Sequence, residues 1–467
     1  MNWLRHLFST EYMVEKKWIK GDLVPSGEAY RASLAIALPA IAEMVSISVI
    51  GMADTAMVGR LGTYAIAAVG LTGQPRLIFL SFFMALNVGV TVIVSRRRGE
   101  GDPAAANLCL RQSLMIGLAL GAIVSVLAVV LAEPVLLLAG AQDDTIGAAV
   151  AYFQVIGAGL IFQILSMIIC AAQRGVGNTK ITMYVNIAAN IVNVIFNYFL
   201  IGGHWGFPRL EVRGAAIATV MGGAVGFGLA AASLFNGKGY LRVSRNDSWR
   251  LDLPVLKILG RLGGGSMIEQ LAARFGFFIF VLVVARLGTD AFAAHQIASQ
   301  LMNLSFTFAD GIGVATTSLV GLNLGKKRPD LSVMYGQIGQ RIALLAALFL
   351  AALSFAGRNW FPWLFTEDPR IVALSGSLII ILAVIQPVQT SQIVMAGSLR
   401  GAGDTRFVAV TMLLTVTVIR PVTSFLLIYV VGLGAPGAWL AILFDQIVRL
   451  ALVYHRFLSG KWMRIKI

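Results

Sequence analysis

Arg174-Gly175-Val176-Gly177-Asn178-Thr179-Lys180 returns 226 positions later (400 − 174) as Arg400-Gly401-Ala402-Gly403-Asp404-Thr405-Arg406. The same offset pairs Arg60-Leu61-Gly62-Thr63 with Arg286-Leu287-Gly288-Thr289, and Ala67-Ala68 with Ala293-Ala294. It also pairs Glu43 with Glu269, Gln74 with Gln300, Gly99 with Gly325 and Pro103 with Pro329. One offset serving matches scattered along each half is the mark of an internal duplication.

Between these turns the chain is apolar. Of 467 residues, 58% are hydrophobic and 13% charged, with a mean hydropathy of +0.81; a soluble chain is about a quarter charged. The apolar runs are roughly 20 to 30 residues long, enough to cross a bilayer, where a β-barrel would show alternating segments of about ten. The spans are Ala32–Val58, Ala68–Ser95, Ala105–Leu131, Ile146–Ala172, Ile181–Ile201 and Gly214–Phe235, then Leu256–Ala285, Ala291–Leu322, Val333–Ala356, Ile371–Gly397, Phe407–Val430 and Gly437–Phe457. The expected fold is therefore an all-α polytopic membrane protein of 12 transmembrane helices in two six-helix lobes. An even number of spans per half makes the repeats parallel, about an axis along the membrane normal, an arrangement that places a substrate cavity between the lobes. The expected division is a cytoplasmic N-terminal segment at 1–31, a lobe at 32–235, an inter-lobe loop at 236–255, a second lobe at 256–457 and a tail at 458–467.

A formal charge of +15 would suggest nucleic acid in a soluble protein. Here the bases sit in short loops, so a lipid bilayer and no nucleic acid is the expected partner. Arg96-Arg97-Arg98, Arg174 with Lys180, the central Lys238, Arg242, Arg245 and Arg250, Lys326-Lys327-Arg328, Arg400 with Arg406, and Lys461, Arg464 and Lys466 fall on one side. The opposite loops carry Glu133, Asp143, Asp144, Glu367 and Asp368, with Arg209 and Arg213 as exceptions. Both termini are expected in the cytoplasm, and the chain in the cell (inner) membrane, acting as a monomer. Residues 1–20 lack the apolar core and cleavage site of a signal peptide; Trp3, Leu4, Leu7, Phe8, Trp18 and Ile19 among Lys and Arg predict a short interfacial helix.

Enzyme chemistry finds little footing. Cys109 and Cys170 make no disulfide framework or metal site, the four histidines are scattered, and no P-loop or His-Glu-x-x-His occurs. Gly432-x-Gly434-x-x-Gly437 spells a dinucleotide fingerprint but joins two spans without βαβ context, so it is a turn. No cofactor is expected. A membrane scaffold or receptor is disfavoured by the lack of a sizeable soluble domain.

What remains is transport, and its candidates are polar groups inside the spans, which are costly unless they have work to do. Glu43 and Asp54 lie 11 positions apart (54 − 43) in the first span, about three turns, on nearly one helix face. In the fifth span Asn186, Asn190, Asn193 and Asn197 recur at i, i+4, i+7 and i+11, one polar stripe. Interhelical hydrogen bonding explains one or two such amides better than four. Asp54, Asn193, Asn197 and Thr219 supply a carboxylate, amide carbonyls and a hydroxyl, the hard oxygen ligands of a sodium ion, and the acid alone can carry a proton. Under the repeat, Asp54 maps to Phe280, Asn193 to Ile419 and Asn197 to Thr423, so this cluster belongs to the N-terminal lobe alone. Glu43 and Glu269 are shared by the lobes, either as frame or as a symmetric cavity lining. The eighth span carries Gln296, Gln300, Asn303, Thr307 and Asp310 on one face. Asp310 is a candidate cation contact or a partner for Arg274, and Gln300 and Glu43 are candidate cavity positions. Asp445, Arg449 and Arg420 are expected to neutralise one another.

Asp54-Thr55-Ala56-Met57-Val58-Gly59-Arg60-Leu61-Gly62, Ala293-Ala294-His295-Gln296-Ile297-Ala298 and Gly397-Ser398-Leu399-Arg400-Gly401-Ala402-Gly403-Asp404-Thr405 resemble the bacterial multidrug and toxic compound extrusion (MATE) family over nearly the whole chain from about Ala32. The resemblance implies export of organic cations or drugs in exchange for Na+ or H+. Asp54 matches the family's first-helix acid; Asn193, Asn197 and Thr219 fall where members place an N-terminal-lobe cation site. Glu269 matches the seventh-helix acid of one branch. That branch has an acid in the tenth helix where this chain has Gln389, which leaves a two-acid site in the second lobe incomplete. A lipid-linked oligosaccharide or lipid flippase of the same superfamily is the alternative.

Overall fold

A computed structural model describes residues 8–143, 145–235, 239–244 and 247–465, with the backbone alone at Thr63. Lys238, Arg245, Asp144 and Lys466 of the charge pattern, and the first seven residues of the expected interfacial helix, lie outside the described residues. Twelve long helices follow in order: α1 (Ser26–Gly59), α2 (Thr63–Glu100), α3 (Pro103–Val130), α4 (Ile146–Gly175), α5 (Thr179–Gly202) and α6 (Glu211–Phe235). After the linker come α7 (Leu253–Ala285), α8 (Thr289–Gly325), α9 (Pro329–Gly357), α10 (Pro369–Gly401), α11 (Thr405–Val430) and α12 (Gly434–Leu458). Each expected span lies on one of them, most lengthened by a turn or so; α3 alone ends a residue early, at Val130. Among the described residues, eleven of these are long and apolar enough to cross a membrane. The twelfth, α8, is 37 residues long but carries the polar face from Gln296 to Asp310, which lowers its hydropathy.

The turns explain why the duplicated motif reads as it does. At the end of α4, Asn178 N donates to Gln173 O and Gly177 N to Arg174 O, both at 2.8 Å, with Gly177 at φ 76°. At the end of α10, Asp404 N donates to Leu399 O at 2.9 Å and Gly403 N to Arg400 O at 2.8 Å, with Gly403 at φ 89°. This is the Schellman closure, and its left-handed residue favours glycine because any Cβ is strained there. The α2–α3 turn repeats the pattern with Gly101 (φ 73°), whereas its counterpart after α8 is Lys327 (φ 59°). Lys327→Gly is therefore expected to raise stability by about 1 kcal/mol, read as a higher unfolding midpoint. An unchanged or lower midpoint would count against strain at this turn.

The segment ahead of α1 is described from Phe8 onward. Of the stretch expected as an interfacial helix, Phe8 is helical, and residues 9–25 form an arm with two 3-10 turns, Thr10–Tyr12 and Lys16–Trp18. Thr10 N donates to Ser26 Oγ and Thr10 Oγ1 to Val24 O, each at 3.0 Å. Met13 and Val14 are buried in a core with Leu319, Met334, Leu399, Phe457 and Trp462. Lys20 N donates to Asp330 Oδ2 at 3.2 Å and Arg328 Nη2 to Asp22 O at 2.8 Å.

The chain gathers into two compact units, residues 42–263 and residues 1–41 with 264–467. The divisions fall inside α1 after Ile41 and inside α7 after Gly263, so the start of α1 packs with the unit of α8 to α12. There Gly311 of α8 lies so close to Ile41 that an added Cβ would come within 2.8 Å of its Cα. In the 42–263 unit, α6 packs on α4 and α5, and α4 on α2 and α3. Gly222 of α6 permits a close approach to α5 beside Asn193. A Cβ there would meet Ala189 O at 2.5 Å and Asn193 Cβ at 3.1 Å.

Candidate functional site

The glycine contact between α5 and α6 sets two polar helix faces against each other. Asn193, buried on α5, donates through Nδ2 to Thr219 Oγ1 on α6 at 3.1 Å. Asn197, one turn on and also buried, donates through Nδ2 to Asp54 Oδ1 of α1 at 2.6 Å and to Asn193 Oδ1 at 3.3 Å. With the Asn193 amide turned over, its Nδ2 donates to the two Asp54 oxygens at 2.7 and 3.2 Å, and its Oδ1 accepts from Thr219 Oγ1 at 3.1 Å. Asn197 Oδ1 is buried and has no hydrogen-bond partner among the described residues. Thus Asp54, Asn193, Asn197 and Thr219, spread over 166 positions (219 − 54, inclusive) of sequence, form one cluster in the 42–263 unit.

The asparagine stripe divides between two acids. Asn186 donates to Glu43 Oε1 at 2.9 Å, beside Arg174 Nη1 at 3.0 Å, while Thr182 Oγ1 donates to Oε2 at 2.6 Å. Glu43 is thereby buried and fully engaged, away from Asp54. Asn190, between the two groups, keeps a buried Nδ2 with no hydrogen-bond acceptor among the described residues.

The second unit repeats the frame but not the cluster. Glu269 Oε1 accepts from Arg400 Nη1 at 2.6 Å, the repeat image of Glu43 with Arg174. The hydroxyl and amide that complete the Glu43 shell, Thr182 and Asn186, are replaced at the same offset by Val408 and Met412, so Glu269 is the less enclosed acid. Asp310 is exposed, within electrostatic range of Arg400 and Glu269, and among the described residues it makes no ion pair with Arg274. Gln300 is exposed on α8. Gln389 is fully buried with neither side-chain polar atom hydrogen-bonded among the described residues.

The basic cluster of α11 and α12 is drawn together as its charges require. Arg449 Nη2 donates to both Asp445 oxygens at 2.7 Å, Arg420 Nε donates to Oδ2 at 3.1 Å, and Arg449 Nε donates to Thr415 Oγ1 at 3.0 Å. Arg420 also lies over the Phe277 and Phe280 rings at 5.1 and 5.8 Å. Its helix widens into π turns at Thr415–Ile419 and Leu426–Val430, on either side of Pro421, which has no N–H to continue the α-helical ladder.

Sequence reasoning missed Arg76 of α2. Its Nη2 donates to Gln163 Oε1 of α4 at 2.9 Å, and it stands within electrostatic range of Asp54, as does buried Tyr152. The signal was available, since an arginine following Pro75 inside a span is rare enough to need a partner.

The MatE family model matches residues 39–199 and again 266–426. The chain belongs to the MatE family. Its two matched segments begin 227 positions apart (266 − 39), in step with the repeat read from the turns. The probable multidrug resistance protein NorM of Thermotoga maritima is 29% identical to this MatE chain over 455 residues, covering 97% of the chain and 96% of the relative. The multidrug resistance protein PmpM of Pseudomonas aeruginosa is 29% identical over 390 residues, covering 82% and 80%. A solved transporter of the MOP superfamily from Pyrococcus furiosus shares the fold at a TM-score of 0.87 and 20% identity, covering 97% of this chain and all of that one. The MatE chain is a multi-pass membrane protein, with the two-lobe repeat fold of its solved neighbours.

Proposed function

We propose that the chain is a secondary antiporter that exports cationic or amphipathic organic compounds in exchange for Na+ or H+, by alternating access between two rocking six-helix lobes. The observation that carries the reading is the Asp54 cluster: inside the apolar bundle one carboxylate is met by the Asn197 amide and, once turned, by the Asn193 amide, which is itself bonded to the Thr219 hydroxyl. The names of the Thermotoga and Pseudomonas relatives supply the drug substrates. We read the chain as needing no cofactor, working as a monomer, and lying in the inner membrane with both termini cytoplasmic.

The cluster suits either ion. An ionised Asp54 is met by amide N–H groups from Asn197 and, once turned, from Asn193. A protonated Asp54 donates instead to Asn193 Oδ1. A sodium ion needs oxygens, and the unpartnered Asn197 Oδ1 with the Asn193 and Thr219 oxygens provides them beside the carboxylate. In each case the gain or loss of one positive charge rewires hydrogen bonds that tie α1 to α5 and α6, which is how ion binding acts on helix packing. Glu269, Asp310, Gln389, Gln300 and Glu43 serve as cavity lining or frame in this reading.

The test is efflux of a fluorescent organic cation from vesicles with sodium and proton gradients imposed separately. Efflux driven by one of them is the expected result. Efflux driven by neither, or only by a hydrolysable nucleotide, removes the antiport reading.

A further inference from the structure

A cavity of about 620 Å3 opens beside the start of α3, the end of α6 and the linker that follows it. That volume lies within the range of about 300–1,000 Å3 common to small-molecule sites. Leu234 and Phe235 make part of its lining apolar, and Arg111, Arg242, Ser244 and Asp247 make the rest polar. The linker is held to α3 by two side-chain amides that each grip both kinds of backbone group. Asn107 Oδ1 accepts from Arg242 N at 2.7 Å and its Nδ2 donates to Tyr240 O at 3.4 Å. Gln112 Nε2 donates to Arg250 O at 2.6 Å and its Oε1 accepts from Asp252 N at 3.0 Å. Tyr240 further donates to Arg97 O at 3.2 Å, so the cavity is a built feature.

Its charges do not balance. Arg111 Nη1 pairs with Asp247 Oδ2 at 3.0 Å, but Arg111 Nε is buried without an acceptor among the described residues. The Arg242 guanidinium is exposed and forms no ion pair among the described residues. The Ser244 backbone N–H, followed by Arg111 and Arg242, holds the Asp247 carboxyl below the usual carboxylate range, so it is ionised at neutral pH. Two guanidiniums thus share one carboxylate. A buried N–H without an acceptor calls for one, and the planar arginine fork matches phosphate oxygens. Basic pockets between helices at the membrane edge recognise anionic headgroups, and the exposed Phe235 beside this one suits the apolar part of such a molecule.

We propose that this cavity binds a phosphate ester anion, supplied by the headgroup of an anionic phospholipid. The full-length protein in detergent is titrated with phosphatidylglycerol, phosphatidylcholine or inorganic phosphate, and bound lipid is counted by native mass spectrometry. Phosphatidylglycerol is expected to bind in preference to phosphatidylcholine. The double variant Arg111→Gln/Arg242→Gln is expected to bind it roughly tenfold more weakly. Asp247→Asn removes the competing carboxylate and is expected to bind it several-fold more tightly, an increase that misfolding does not produce. Equal binding of the two lipids, or variants that bind as wild type does, would overturn the site. Displacement of the lipid by low-millimolar inorganic phosphate would overturn the lipid as the source.

Discussion

Asp54→Asn is expected to lower gradient-driven efflux of an organic cation from vesicles by at least about tenfold, the equivalent of about 1.4 kcal/mol of lost ion binding. The variant should still fold, because the new amide oxygen can accept from Asn197 Nδ2 where the carboxylate does now. Only the charge is lost, and with it the reason for a cation to enter. Binding of the organic compound, measured without a gradient, is expected to survive, which separates loss of coupling from loss of structure. Glu43→Gln is the contrasting control. Its carboxylate answers to Arg174, Thr182 and Asn186, so its loss should reduce the unfolding midpoint while leaving ion selectivity alone. Gradient-driven efflux at the wild-type rate in Asp54→Asn would remove that residue from the mechanism.

The second large effect is expected in the other unit. Asp445 is fully buried and accepts from two arginines that are themselves 1% and 5% exposed. Asp445→Asn would leave both cations in an apolar interior without a counter-charge, a change that costs about 3–5 kcal/mol when a buried pair is broken. The unfolding midpoint should fall on the order of 10 °C. Replacing all three together, Arg420→Met with Asp445→Leu and Arg449→Met, should recover most of it, because no charge is then stranded. A midpoint for Asp445→Asn within a degree or two of wild type would mean the cluster is not a stability element.

The duplication and the spans were legible because each is a local pattern or a fixed offset. Asp54 was legible too, as a charge out of place. The division of the asparagine stripe was not. Asn186 and Asn193 look alike along the helix, and only the position of α1 across from them decides which acid each one meets. The acid–arginine pairs were closer to hand. Glu43 with Arg174 and Glu269 with Arg400 are each 131 positions apart (174 − 43, 400 − 269), and two charges duplicated together inside apolar surroundings have every reason to meet. Arg76 was passed over because its neighbour Gln74 belonged to the repeat and it did not.

The arm has a consequence for synthesis. Met13, Val14 and Ala29 leave the ribosome well before the residues they pack with, from Leu319 to Trp462. The 42–263 unit can be complete while the opening segment is still waiting, so the unit translated between is finished before the one that brackets it. Closing so long a stretch of chain is entropically slow, and during that delay Met13 and Val14 are uncovered. Deletions or fusions at the amino end therefore act on the last step of assembly rather than the first, and their damage should fall on yield of folded protein more than on the chemistry of the Asp54 cluster.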